Sequence, residues 1–100
     1  MNKDKILSLL GLSYRANKVI IGSDEVIDSI KNTRLQLVFL AQNFSSVAER
    51  RIRNDATFHK IDIIDSFTED EISKALGKTH IKALGISDEG LSSLIKEAVK

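Results

Sequence analysis

The chain is 100 residues long, 42% hydrophobic and 29% charged, with a formal net charge of +1. That length suits one domain spanning residues 1–100, and the apolar share suits an ordinary core and excludes a disordered tail. The lack of Cys excludes disulfides, thiolate metal sites and a cysteine nucleophile and is compatible with the cytoplasm; no apolar run approaches the roughly 18 residues that cross a bilayer, so no membrane partner is expected.

Ile6, Leu7, Leu10 and Tyr14 recur at helical spacing and predict a first helix from about Asp4 to Tyr14. Asp4, Tyr14 and Arg15 interrupt or flank its apolar stretch, so it reads as a helix and not a signal peptide. "KVII" is a short β-rich run ended by Gly22, and Val26, Ile27 and Ile30 then mark a second helix. "LQLVFLA", residues 35–41, is nearly continuous in apolar residues, as a strand buried on both faces would be. Ser46 and Glu49 have capping-box spacing and open a third helix with Val47, Ala48 and Ile52 as its apolar stripe. "KIDII", residues 60–64, alternates like a strand. Thr68 and Glu71 make a second capping box ahead of Ile72, Ala75 and Leu76, and Gly77 is placed to end that helix in a left-handed turn. "IKALGI", residues 81–86, is the fourth strand, and Leu91, Leu94, Ile95, Ala98 and Val99 define the last helix.

The order is a helix followed by four strand–helix units, which argues for an α/β domain with helices on both faces of a sheet. The predicted core contains Leu7, Leu10, Ile20, Val26, Ile30, Leu37, Phe39, Ile63, Leu84, Ile86, Leu94 and Ile95. Phe39 and Phe44 read as core residues and not as exposed stacking surfaces.

One tripeptide occurs twice. Ser23-Asp24-Glu25 opens the second helix and Ser87-Asp88-Glu89 the last one. Ser and Asp oxygens accept from free N–H groups at a helix start, and carboxylates there favour the helix dipole, so capping is the simpler reading of both copies. The first copy has more around it. Gly22 removes a side chain just before the helix, and Arg15 and Lys18 lie a few residues upstream, where they could hold a phosphate near the same spot. Carboxylates accept from exocyclic amines and guanine imino groups while Lys and Arg take phosphates, so this combination suits recognition of base edges.

The stretch "LLGLSYRANKVIIGSDEVIDSIKNTRLQLVFLAQN" resembles the kink-turn-binding ribosomal-protein family, the family of the archaeal large-subunit protein "seven-Ae" and the eukaryotic "thirty-e", and most resembles its bacterial YlxQ-like branch. The likeness covers nearly the whole chain. It rests on R-A-x-K-x-x-x-G, then x-[ND]-E-V at the second helix, L-x-L-V-x-L-A, A-L-G-K at residues 75–78 and the terminal A-L-G-I-S-D-E-G. The resemblance implies a three-layer α/β/α sandwich with a four-stranded mixed sheet and five helices. It implies a protein that grips the bend of a kink-turn RNA, whose tandem sheared G·A pairs expose guanine edges. Asp24 and Glu25 take the place of the family's Asn-Glu pair that reads those guanines; Ser23 precedes them, Gly22 lets the RNA backbone approach, and Lys18 lies by the phosphates. The loop Lys78, Thr79, His80 and Ile81 covers extruded nucleotides. Two residues depart from the pattern. Asp24 replaces an Asn that can also donate, and Asp28 replaces a common Lys, adding repulsion toward phosphate. The implied partner is structured RNA, with the ribosome as a further candidate, and a monomer suits a chain of this size. A module that keeps the fold but binds proteins of the ribosome or transcription machinery is the alternative.

The remaining motifs read more plainly. "AERRIRND" is either a second RNA-facing patch or a solvated helix face, the latter being simpler. His80 could stack on a base or stand as an ordinary surface residue. His59 has no partner at metal-ligand spacing, and Asp24 with Asp28 supplies too few oxygens for a cation, so no metal or other cofactor is expected. There is no G-x-S-x-G elbow, no G-x-x-x-x-G-K-[ST] loop and no G-x-G-x-x-G fingerprint, and no catalytic residue or enzymatic activity is expected.

Overall fold

Helix α1 (Lys3–Arg15) starts where the Asn2 side chain accepts the Lys5 N–H at 3.1 Å. In this computed structural model, which describes residues 1–32 and 35–100, four strand–helix units follow. They are β1 (Val19–Ile21) with α2 (Ser23–Lys31), β2 (Leu37–Leu40) with α3 (Val47–Phe58), β3 (Asp62–Ile64) with α4 (Glu69–Leu76), and β4 (Ala83–Ile86) with α5 (Glu89–Val99). The strands form one sheet in the order β1-β4-β2-β3. β2 and β3 run parallel, while β4 lies antiparallel to both β1 and β2, so the sheet is mixed.

The two inner strands, β2 and β4, are buried along their whole length, which is why both read as apolar runs. Side-chain alternation distributes them between two cores. Leu37 and Phe39 face a core built with Ile6 and Leu10 of α1, Ile72 and Leu76 of α4, and Ile95 and Ala98 of α5. Val38 and Leu40 face the other, with Val26, Ile27 and Ile30 of α2 and Ile52 and Ala56 of α3. The expected three-layer α/β/α sandwich is therefore present, with α1, α4 and α5 on one face of the sheet and α2 and α3 on the other.

Several local expectations need correction. The strands are shorter than the apolar runs because Leu35 and Ile81 are buried just outside β2 and β4 rather than within them. Val47 is 74% exposed, and the buried line of α3 is Glu49, Ile52 and Ala56, one helical face away. Leu94 was expected in the core and is 51% exposed, because α5 turns Ser92, Ile95 and Ala98 inward. Ser46 does accept the Glu49 N–H at 3.1 Å, but the Glu49 carboxylate turns to Arg53 instead of closing a reciprocal box. The second box is complete: Thr68 accepts from Glu71 N–H at 3.1 Å and the Glu71 carboxylate accepts from Thr68 N–H at 2.9 Å. That bond, more than the nearby Lys3, holds the Glu71 carboxyl below its ordinary value. Gly77 ends α4 with φ 69° as expected.

Candidate nucleic-acid interface

The two S-D-E copies stand in different registers. α5 has Asp88 at its N-cap, and the Asp88 carboxylate accepts the Leu91 N–H at 2.8 Å. α2 has Gly22 at its N-cap and no side-chain cap, so Ser23, Asp24 and Glu25 are the first three helical residues. Glu25 holds the N3 position from which Glu71 reaches back to its own N-cap N–H in α4, but it makes no such bond here. Among the described residues, the side chains of Ser23, Asp24 and Glu25 make no hydrogen bond or ion pair, and Asp24 and Glu25 are exposed. Capping explains the second copy and does not explain the first.

Gly22 makes this register possible. Its φ is 108°, a conformation that side-chain-bearing residues rarely adopt. A Cβ built there would also come within 2.6 Å of Glu25 Oε2, because that carboxylate folds back over the glycine. The result is two carboxylates without an ion-pair partner among the described residues, one of them folded over Gly22, at a helix end whose dipole favours negative charge.

The sheet decides what else stands at this end. Gly22 N–H donates to the Ala83 carbonyl at 3.0 Å, and Leu40 pairs with Ala83. The start of α2, the residues leading into β4 and the β2–α3 connection therefore converge. Of the 78–81 loop, Lys78 lies over the Tyr14 ring at 5.5 Å, and Thr79 is exposed. His80 has φ 59° and its Nδ1 lies 3.3 Å from Glu69 Oε2, with the side chain 87% exposed. Ile81 is corrected as a contact residue: its side chain is only 4% exposed and packs in the core, and its N–H donates to Ser73 Oγ at 3.0 Å.

Lys18 stands elsewhere. Its carbonyl accepts the Ser87 N–H at 3.0 Å, at the opposite end of the β1–β4 ladder from Gly22. The three residues of β1 separate Lys18 from Gly22, a rise of about 13 Å over four steps. Lys18 therefore does not share one spot with Asp24, as the sequence spacing suggested, and reaches only a ligand that runs the length of β1. Arg15, the last residue of α1, turns its guanidinium back beside Gly11, where the α4 backbone passes close to α1.

Lys82 was overlooked in the sequence. It is exposed between buried Ile81 and Ala83 and lines a cavity with Phe44, Ser46 and Glu69. It has no ion pair among the described residues. The signal was strand alternation through 81–86, which sends one polar residue outward next to the strand start. In this region the structure assembles two free carboxylates, a positive-φ glycine, the exposed 78–80 loop and Lys82. Such a surface can accept hydrogen bonds from base edges and meet phosphates from the flanks. Among the described residues no group of three or more metal-ligating side chains comes together.

Comparisons with known proteins agree with this architecture. The family model described as "Ribosomal protein L7Ae/L30e/S12e/Gadd45 family" matches residues 4–96. An Enterococcus faecium protein named RNA-binding protein YlxQ is 30% identical over 99 residues, covering 99% of this chain and 95% of that one. The Bacillus subtilis protein of the same name is 29% identical over 85 residues, 85% of each chain. Among solved structures, a Bacillus halodurans protein of unknown function superposes with a TM-score of 0.90 at 24% identity, covering 95% of this chain and 96% of that one. A Giardia lamblia 15.5kD RNA binding protein superposes at 0.77 and 13% identity, covering 93% and 80%. With helices, mixed sheet and nearly the whole length matched, the chain belongs to the L7Ae/L30e/S12e/Gadd45 family of ribosomal proteins, in its YlxQ-like branch.

Proposed function

We propose that this chain is a structured-RNA-binding protein that recognises a kink-turn, with Asp24 and Glu25 accepting hydrogen bonds from the guanines of tandem sheared G·A pairs. The single observation behind this reading is that these two carboxylates are exposed and unpartnered among the described residues at a helix start capped by a glycine, whereas Asp88 in the sister tripeptide is consumed as a cap. Gly22 leaves room for RNA backbone, Ser23 is a hydroxyl beside it, and Thr79 and His80 cover unstacked nucleotides. Arg15, Lys78 and Lys82 supply phosphate contacts nearby, and Lys18 meets RNA that continues along β1.

In this reading the protein acts by binding and not by catalysis, as a monomer in the cytoplasm, in association with ribosomal or other translation-linked RNA. The names of the YlxQ relatives support an RNA partner. The test is a gel shift with a kink-turn duplex and the same duplex with its G·A pairs replaced. Preferential binding of the intact duplex is expected; equal binding of both would refute base reading, and no binding of either would leave the fold as a protein-interaction module.

A further inference from the structure

The face of α3 that points away from the sheet is not an ordinary solvated surface. Val47 at 74% exposed and Phe58 at 81% are the two most exposed large hydrophobic residues among those described. They lie on one line of the helix with Arg51 and Asn54, at spacings of four, seven and eleven from Val47, opposite the buried Glu49, Ile52 and Ala56. Isolated exposed apolar residues are commonplace, but two on one line with an arginine between them are not accounted for by packing. Arg50 flanks the line and Lys60 follows it, and neither has an ion pair among the described residues. Arg51 reaches only Asp55, at 3.8 Å across an exposed pair that is readily exchanged. Phe58 forms a T-shaped contact with His59, with ring centroids 5.1 Å apart and planes at 82°, and stays 81% exposed despite it.

The apolar ends of this line are about 16 Å apart along the helix with Arg51 and Asn54 between them, so they are two separate contacts and not one continuous apolar surface. Cations on a track ending in an exposed aromatic ring match the requirements of a single-stranded nucleic acid, whose phosphates take the charge and whose bases stack. The track also begins in the right place. α2 and α3 lie side by side on one sheet face, and both start at the Ala83 end, since Gly22 bonds to Ala83 and Leu40 pairs with it. A strand leaving the start of α2 can therefore run down α3 from Val47 to Phe58, about five stacked nucleotides at 3.4 Å each.

We infer that the outer line of α3 is a second RNA contact, holding a single-stranded segment that flanks the structured RNA, with Arg50, Arg51 and Lys60 on phosphates and Phe58 stacked on a base. This rests on the RNA reading above, and its test is arranged to separate the two. Kink-turn duplexes, blunt or carrying a single-stranded extension of about ten nucleotides on either stem, are titrated by fluorescence anisotropy against wild type, Phe58→Ala and Arg50→Gln, each checked for folding by circular dichroism. An extension should tighten wild-type binding about tenfold, and Phe58→Ala should abolish that gain, as loss of one stacked base does. Arg50→Gln should keep part of the gain and lower its salt slope by about 1. All three proteins should bind the blunt duplex alike. If G·A replacement left blunt binding unchanged while the Phe58-dependent gain persisted, the base-reading assignment alone would fail. Should the duplex not bind at all, single-stranded RNA titrated into the isotope-labelled protein must still shift the Phe58 and His59 resonances. An extension that adds nothing to wild type, or a gain that survives Phe58→Ala, would overturn the inference.

Discussion

Replacing Glu25 and Asp88 separately by Ala should split stability from recognition. Asp88 holds the Leu91 N–H at 2.8 Å, and removing an N-cap acceptor costs about 0.5–2 kcal/mol. For a domain of this size each kcal/mol moves Tm by roughly 4–8 °C, so Asp88→Ala should melt several degrees lower. Glu25 makes no hydrogen bond among the described residues, and its truncation removes only a favourable position near the helix dipole, about 0.3–1 kcal/mol. Glu25→Ala should therefore melt closer to wild type than Asp88→Ala does. RNA affinity should show the reverse pattern. Losing a base contact costs about 1–3 kcal/mol, roughly 5- to 150-fold in Kd, for Glu25→Ala, with the preference for intact G·A pairs reduced. Asp88→Ala should bind as wild type below its melting point. The assays are thermal unfolding by circular dichroism and anisotropy titration with both duplexes. Equal RNA binding by the two folded mutants would refute the reasoning.

Asp24→Asn removes a negative charge near phosphate and adds a donor; it should bind kink-turn RNA more tightly, and weaker binding in the same titration would count against Asp24 facing the RNA. With three to five cations on phosphate, log affinity should fall against log salt with a slope of about −2 to −5. Lys82→Ala should lower that slope by about 1 for intact and G·A-replaced RNA alike, whereas Lys18→Ala should matter only with duplexes long enough to follow β1. The Glu71 carboxyl is held below its ordinary value by the Thr68 N–H, so its stabilisation is full above the unfolded value of 4.5 and is lost as pH falls through the lower folded value. Glu71→Gln should therefore lose less stability than wild type between neutral and acid pH in urea titrations, and identical pH profiles would contradict the bond.

The layers were legible because periodicity reports burial. Leu37 to Leu40 are buried on both sheet faces, and a run without polar alternation says so directly. The errors share one cause: an apolar residue near a helix does not state its azimuth. Val47 and Leu94 are apolar yet turned outward, while Glu49 and Ser92 are polar and turned inward. The Glu49 carboxylate can lie in that position because Arg53 meets it and Asp65 meets Arg53 in turn at 3.0 Å. Such a relay joins α3 to the end of β3 and has no local sequence signature. For the site, the motif at α2 was readable as chemistry but not as geometry. Chain distance put Lys18 closer to Asp24 than strand direction allows, and it hid Lys82, which arrives from the other end of the chain through β4.

The identical tripeptides stand in two registers, and only one of them caps its helix. With Asp88 at the N-cap, the carboxylate is satisfied by the helix and has little left to offer a ligand. Moving the same letters two positions into α2 requires a different N-cap, and Gly22 fills that position with no side chain and a φ of 108°. The helix then keeps its unsatisfied N–H groups and its carboxylates together at an open surface. Two such carboxylates repel phosphate, so they are poor instruments of affinity. They become useful only against donors, and base edges in a distorted duplex present them while phosphates do not. Affinity must then come from cations set apart from the acids: Lys82 stands at the Gly22 end of β1, Lys18 at its other end and Arg15 at the end of α1, and none of the three has an ion pair among the described residues. In the proposed reading, separate acids for base selection and separate cations for phosphate binding let a chain of net charge +1 be suited to RNA.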